Sequence, residues 1–224
     1  MKRISRWFAA TFLLSFLFNN GTAQKTTMLF TPGNKTEWYT FLKNSGKNND
    51  PLNVFSFEGE TLRASGEDFG YIITEKTYGD FKLTLEFKWG TKKYPPRENA
   101  KRDAGVLYFC QTYIGDRIWP LSLEFQVQEG DCGDFWMTGG SQIIHADTLT
   151  PAAPGHRAAK FKDAEKPTGE WNTVEITVRN GKITHKINDV LVNAGSNPSI
   201  SRGRILLQSE GAEIYYRNVK LEEY

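Results

Sequence analysis

Leu121-Ser122-Leu123-Glu124-Phe125-Gln126-Val127-Gln128 is the stretch whose reading decides the fold. Apolar and polar residues alternate through it, which is the period of a half-buried β-strand. Leu121, Leu123, Phe125 and Val127 are expected to face a core. Ser122, Glu124, Gln126 and Gln128 are expected to share the opposite face, successive members about 6.5–7 Å apart.

The chemistry of that polar face sets it apart from another strand of the same chain. Phe81-Lys82-Leu83-Thr84-Leu85-Glu86-Phe87-Lys88 alternates in the same way, but its polar row mixes charges of both signs and reads as solvated. Glu124, Gln126 and Gln128 offer one carboxylate and two carboxamides, and all three can bind hydroxyl groups. Two readings follow: a second solvated face, or a face that meets a polyhydroxylated ligand such as a sugar.

Further short alternating runs lie on both sides. They include Val54–Phe57, Thr61–Ala64, Tyr71–Thr74, Gly105–Cys110, Thr173–Arg179, Lys182–Asn188, Arg204–Gln208 and Ile214–Leu221. Long helical periodicity is absent, and about ten strands separated by turn residues predict an all-β sandwich or barrel. Asn180-Gly181 lies between two of the runs, and that pair suits a two-residue hairpin in which both positions need φ > 0. Lys92–Arg102, with Pro95-Pro96, is expected to be a loop, as is the Pro- and Gly-rich segment 137–169. Both flank the central strand in sequence, so both are candidates for the rim of a site.

The amino terminus has the pattern of an export signal. Lys2, Arg3 and Arg6 precede an apolar run from Trp7 to Phe18, and Gly21-Thr22-Ala23 offers small residues for cleavage. The run is too short to span a bilayer, so no membrane insertion is expected. The full chain carries a formal +2, and residues 1–23 hold three basic residues and no acidic one, leaving −1 on residues 24–224. That balance gives no footprint for nucleic acid. The remainder has the length of one all-β domain.

Cys110 and Cys132 are the two cysteines, and export would permit a bridge between them without requiring one. The sequence offers no phosphate-cradling glycine loop, nucleophile-elbow serine or zinc-ligand spacing. His145 and His156 fall in the long loop, where either could serve a site or simply be exposed. His185 shares parity with Ile183 and Ile187 and is expected in the core. Glu129, Asp131 and Asp134 follow the central strand, either as turn residues or as oxygen ligands for a divalent cation such as calcium. Trp136 and Trp119 are aromatic faces on which a sugar ring can stack, or core residues.

Taken in order, several motifs resemble the 3-keto-disaccharide hydrolase family. They are Leu29-Phe30-Thr31-Pro32-Gly33 with Trp38-Tyr39, Gly79-Asp80-Phe81, and Arg97 with Arg102-Asp103-Ala104-Gly105-Val106-Leu107-Tyr108. Glu124-Phe125-Gln126-Val127-Gln128-Glu129-Gly130-Asp131, Gly169-Glu170-Trp171-Asn172, His185-Lys186-Ile187-Asn188, Gly203–Gln208 and Tyr216-Arg217-Asn218-Val219 complete the series. The resemblance implies a concanavalin-like jelly-roll β-sandwich of two antiparallel sheets, with a sugar site on one sheet that centres on Glu124 and Gln126. It further implies substrate contacts from Arg97, Arg102, Gln128, Trp136 and Gln208. This chain departs from the family pattern in having Ala104 where Ser is frequent, and Ser209-Glu210-Gly211 where a His is frequent.

Three functions are compatible with these residues. In the first, a glycoside oxidised at C3 loses its C2 proton to Glu124, with Gln126 holding hydroxyls or the ketone and His145 or Arg97 assisting departure of the C1 substituent. A partner enzyme that oxidises C3 would then supply the substrate. The second is a sugar-binding module without catalysis. The third is a conventional glycosidase, which needs two carboxylates about 5–9.5 Å apart; the strand partner of Glu124 is Gln126, which argues against it.

Overall fold

The structure, a computed structural model, describes residues 25–113 and 115–224. The expected export signal, residues 1–23, lies outside the described residues. Among the described residues no helix is long and apolar enough to cross a membrane.

Among the described residues all the regular structure is β, in two antiparallel sheets. The larger sheet has ten strands. From one edge it runs β12 (Thr148–Leu149), β11 (Ile144–His145), β16 (Val190–Ser196), β15 (Lys182–Ile187), β14 (Asn172–Arg179), β7 (Phe81–Lys93), β18 (Ala212–Glu223), β5 (Thr61–Ala64) and β4 (Phe55–Glu58), with β1 (Lys25–Met28) also paired to β18. The second sheet has eight. It runs β13 (His156–Ala158), β10 (Phe135–Thr138), β9 (Leu121–Gln126), β8 (Gly105–Gln111), β17 (Arg204–Ser209), β6 (Gly70–Thr74), β2 (Trp38–Leu42) and β3 (Gly46–Lys47). Packed face to face, the two sheets form a sandwich, one of the two architectures the alternation predicts and the jelly roll that the resemblance implies.

Alternation decides which face of each strand is buried. On β7, Phe81, Leu83, Leu85, Phe87 and Trp89 enter the core while Lys82, Thr84, Glu86 and Lys88 stay partly exposed. That outer row behaves as a solvated face, with Lys82 paired to Glu175 at 3.0 Å and Glu86 to Arg217 at 2.8 Å. The hairpin forms where expected, Asn180 and Gly181 both having positive φ (51° and 71°) between β14 and β15. His185 is fully buried. Its Nδ1 lies 3.1 Å from the Gly133 carbonyl and its Nε2 3.0 Å from the Tyr108 hydroxyl, so Nδ1–H donates and Nε2 accepts. Burial pulls this imidazole down to about 3, so it stays neutral in the folded protein.

On β9, Leu123 and Phe125 face the sandwich core with Val127 just beyond, and Ser122, Glu124 and Gln126 face outward. The strand ends at Gln126 rather than Gln128, and Leu121 is half-buried. The outer face of the eight-stranded sheet divides in two. Over β2, β6 and β17 lies a second apolar cluster of Tyr39, Tyr71, Ile73, Leu107, Cys110 and Leu206. There the Asp116 carboxylate accepts hydrogen bonds from the Tyr39 and Tyr71 hydroxyls at 2.6 and 2.9 Å. Over β8, β9 and β10 the same face is polar and open.

Both cysteines are free and buried, on opposite sides of the sheet: Cys110 in the outer cluster, Cys132 in the sandwich core. The bridge that export would permit therefore does not form. Burial pushes both thiols up, which keeps them protonated and slow to react. A thiol reagent at pH 8 should label neither in the native protein within minutes and both after denaturation, with intact mass unchanged by prior reductant. Fast labelling of the native protein would contradict this placement.

Candidate active site

The polar half of the outer face holds a pocket of about 560 Å³. Its floor follows from strand register. Glu124 lies opposite Trp136 on β10 and Leu107 on β8, while Gln126 lies opposite Gly105. Directly paired residues share a face, so Trp136, Glu124 and Gln126 project together. Gly105 has no side chain to add. The space above it is filled by the ends of Glu124 and Gln208, whose Oε1 atoms both reach in from neighbouring strands.

The walls come from segments remote in sequence. Arg97 and Asp103 lie between β7 and β8 and are paired with each other. Gln128 Nε2 donates to Asp103 at 2.9 Å. Trp119 reaches across from the segment before β9, and its indole Nε1 donates to Glu210 at 2.9 Å. Glu210 itself sits in the turn between β17 and β18, ahead of Gly211 with φ +82°. Thr138, Gly139, Pro154 and Gly155 close the rim, so both flanking loops contribute, as their position in sequence suggested.

Seven of the residues singled out by the sequence meet here: Glu124, Gln126, Gln128, Arg97, Trp119, Trp136 and Gln208 all line the pocket. Others do not. His145 lies on β11 of the other sheet, where its Nε2 is 2.9 Å from Asn193 Oδ1 and it borders a separate surface hollow. The chain turns away after β10, so nearness to Trp136 in sequence is not nearness in space. Arg102 points to Glu129, bonding its carboxylate from both Nη1 and the backbone N–H at 2.8 and 2.9 Å.

The three carboxylates weighed as cation ligands are not available as a set. Glu129 is held by Arg102 and Thr168, Asp131 by Lys101 and Arg157, and Asp134 by Arg157 and the Lys160 backbone N–H. Their lone pairs already face guanidinium, ammonium and N–H groups, so they do not fit a calcium ion. Among the described residues no group of three or more His, Cys, Asp or Glu side chains is arranged to hold a metal.

Two acidic residues of the pocket, Asp103 and Glu210, were not picked out by periodicity. The pocket therefore holds three carboxyl groups and one guanidinium, which is paired to Asp103. Burial, and then the neighbouring Glu210 and Asp103, hold Glu124 well above the usual carboxylate range, against a long 3.5 Å contact from Thr138. Burial and Asp103 push Glu210 up to about 7, while Trp119 and Arg97 pull the other way. Asp103 is raised by burial despite Arg97 and Gln128. Glu124 and Glu210 therefore both hold their protons to higher pH than an ordinary carboxyl, because burial and neighbouring like charges disfavour ionising all three acids together.

Polar capacity is left over. Gln208 Oε1, Asp103 Oδ1 and Arg97 Nε are buried without a hydrogen-bond partner, half of the six such side-chain atoms among the described residues. Buried polar atoms are normally satisfied, and unsatisfied ones gathered in a pocket mark where a ligand supplies the missing bonds. Gln126 Oε1 accepts from the Val127 backbone N–H at 3.0 Å, which leaves its amide N–H groups as donors.

Residues 25–222 match the model of the 3-keto-alpha-glucoside-1,2-lyase-like domain. No match was found among curated protein sequences. Two solved structures of candidate glycosyl hydrolases from Parabacteroides distasonis ATCC 8503 are similar in fold. One has 17% identity and a TM-score of 0.58, covering 84% of this chain and 89% of that one. The other has 22% identity and a TM-score of 0.56, covering 84% and 100%. A carbohydrate-binding module from Bacillus subtilis aligns at 12% identity and a TM-score of 0.53, covering 84% and 96%. At these identities the likeness is of fold. The family match spans nearly all the described residues, and the chain belongs to the 3-keto-alpha-glucoside-1,2-lyase-like family.

Proposed function

We propose that this member of the 3-keto-alpha-glucoside-1,2-lyase-like family is an enzyme that cleaves glycosides already oxidised at C3. The observation that carries the reading is the convergence of Glu124 with the carboxamides of Gln126, Gln128 and Gln208 in one pocket that also holds three buried polar atoms without partners. Carboxamides bind vicinal hydroxyls from either side, and Trp136 and Trp119 supply apolar faces for the ring.

A ketone at C3 acidifies the hydrogen on C2. Once that proton leaves, charge builds on the C3 oxygen, and donors already fixed in place stabilise it. The Gln126 amide and the Arg97 guanidinium are such donors. Collapse of the enolate expels the C1 substituent, which needs a proton, and water then adds to the unsaturated sugar. Glu124 is the central proton-transfer group. The sequence suggested it as the base. Burial and the neighbouring Glu210 and Asp103 favour its neutral form, which suits it to be the donor to the departing oxygen. Substrate supply then falls to an enzyme that oxidises sugars at C3, and the basic-then-apolar start of the chain supports action outside the cytoplasm.

A second reading, hydrolysis of unoxidised glycosides, is favoured by one observation: Glu210 gives Glu124 a carboxyl neighbour that its own strand lacks. Incubation with 4-nitrophenyl glucoside and with its 3-keto form decides between them. Release from the keto form alone is expected, at least about 100-fold faster than from the parent, since acid–base catalysis at C2 needs the ketone. Equal rates would reject the elimination route. Binding without release from either would leave a sugar-binding module.

A further inference from the structure

Six carboxylates are buried among the described residues: Asp68, Asp103, Glu124, Asp134, Glu210 and Glu213. Four of them are neutralised or held by the backbone. Asp134 and Glu213 have guanidinium partners and backbone N–H groups, Asp103 has Arg97, and Asp68 accepts from the Asn44 backbone and side chain. Glu124 and Glu210 differ. Glu124 has only the 3.5 Å contact from Thr138, and Glu210 only the indole N–H of Trp119. Neither has a Lys or Arg partner among the described residues. Both are less than a tenth exposed, at 6% and 7%, and both line the same pocket beside the unpartnered Gln208 Oε1.

A buried carboxyl without a counter-ion costs stability, and a fold retains two in one cavity when the pocket uses them. We infer that Glu210 is the base that removes the C2 proton, and that Glu124 is the acid that protonates the departing C1 oxygen. This rests on the keto-glycoside reading above.

In the forward step the Glu210 carboxylate takes the C2 hydrogen as a proton, and the C–H electron pair becomes the C2–C3 double bond of the enolate. The enolate reforms the ketone, the pair moves to C1–C2, and the C1–O bond breaks. The departing oxygen takes the proton of Glu124. Water addition runs the same transfers backward: Glu124 accepts a proton from the water that attacks C1, and Glu210 returns its proton to C2. No other reactant is needed.

The hydrogen bonds around the two carboxyls agree with these roles. The groups that face Glu210 are Glu124 from β9, Asp103 from ahead of β8, Arg97 from the segment after β7, Trp119 from the segment before β9, and Tyr216 from β18 beneath. Asp103 with Arg97 holds the first negative charge. Of the other two, Glu210 accepts a 2.9 Å bond from a donor-only indole N–H while Glu124 has a single 3.5 Å hydroxyl contact, so the negative charge is better supported on Glu210. Trp119 steadies the Glu210 carboxylate with one neutral hydrogen bond and leaves its other oxygen free.

The test separates the two transfers. Methyl 3-keto-glucoside, which has a poor leaving group, is incubated in D2O and C2 exchange is followed by NMR; release is followed in parallel with the 4-nitrophenyl analogue. Glu210→Gln keeps an acceptor for Trp119, and Glu210→Asp keeps the charge but shortens its reach. Loss of exchange by about 10²–10⁴-fold is expected in Glu210→Gln, with a smaller loss in Glu210→Asp and disappearance of the pH limb near neutrality. Glu124→Gln should exchange C2 while failing to release methanol. Wild-type exchange in a folded Glu210→Gln protein overturns the assignment, and so does loss of exchange in Glu124→Gln alone. If wild-type enzyme neither exchanges C2 nor releases product, the keto-glycoside reading falls as well.

Discussion

Glu124→Gln is expected to abolish product release from a 3-keto-glucoside while making the protein more stable at neutral pH. The side chain is buried and its neutral form is favoured more than that of an ordinary carboxyl, and the amide closely matches that form in size and polarity. What the amide cannot do is give up a proton to the leaving oxygen. Losing a positioned acid of this kind costs about 10²–10⁴ in rate. The loss should be greatest for alkyl leaving groups and least for 4-nitrophenolate, which departs without help. Wild-type kcat/KM on an alkyl 3-keto-glucoside would remove Glu124 from the chemistry.

The stability effect follows from linkage, with its sign fixed by the direction of the shifts. Glu124 and Glu210 both have folded-state values raised above the unfolded carboxyl, mainly by burial. Their contribution is therefore fully present below about pH 4.3, the ordinary glutamate value, and declines as pH rises through the folded-state values. By pH 7–8 the unfolded chain has released those protons, whereas the folded protein gives up that of Glu210 only around pH 7 and holds that of Glu124 well above the usual carboxylate range. Glu124→Gln removes the penalty, so Tm should rise by a few degrees at pH 7–8, at about 2–4 °C per kcal/mol for a domain of this size, and change little at pH 4. His185 acts in the opposite direction: held neutral near 3, it withdraws stability as pH falls below about 6.5. Opposed shifts of this kind confine the most stable range to mildly acidic pH.

The parts of this fold legible in the sequence are those that depend on local period. The two faces of β7 and β9, the Asn180-Gly181 hairpin and the core position of His185 are all set by parity or by a two-residue turn. Parity also put Glu124 and Gln126 on one face, which fixes the floor of the pocket. The walls were not legible in that way. Asp103, Thr138 and Glu210 join the floor because β10, β9, β8 and β17 are neighbours in one sheet, and no period in the chain says which strands will pair. Sequence proximity misled in the reverse direction. His145 follows Trp136 by nine positions and lies on the other sheet, while Glu129, Asp131 and Asp134 follow β9 and find cations on Lys101, Arg102 and Arg157. The one sequence signal for Glu210 was its departure from the family pattern.

Gly105→Ala is the other change with a large expected effect, because it displaces reacting groups without replacing any of them. Gly105 opens β8 in ordinary extended geometry, so alanine meets no backbone strain there, in contrast to the positive-φ glycines. A Cβ at that position would overlap the Glu124 and Gln208 Oε1 atoms and lie 2.8 Å from Glu124 Cδ. All of these are ends of flexible side chains, so the clash is relieved by swinging them into the pocket rather than by moving the sheet. Folding should survive, with Tm within a few degrees of wild type, since surviving overpacking typically costs about 1–3 kcal/mol. Activity should not. A displacement of about 1 Å in a reacting group lowers rates by roughly 10²-fold, and here a proton donor and a substrate-facing carboxamide move together. The loss should fall on kcat as well as KM. A folded Gly105→Ala protein with wild-type kcat would mean that neither oxygen above Gly105 is held where the substrate reacts.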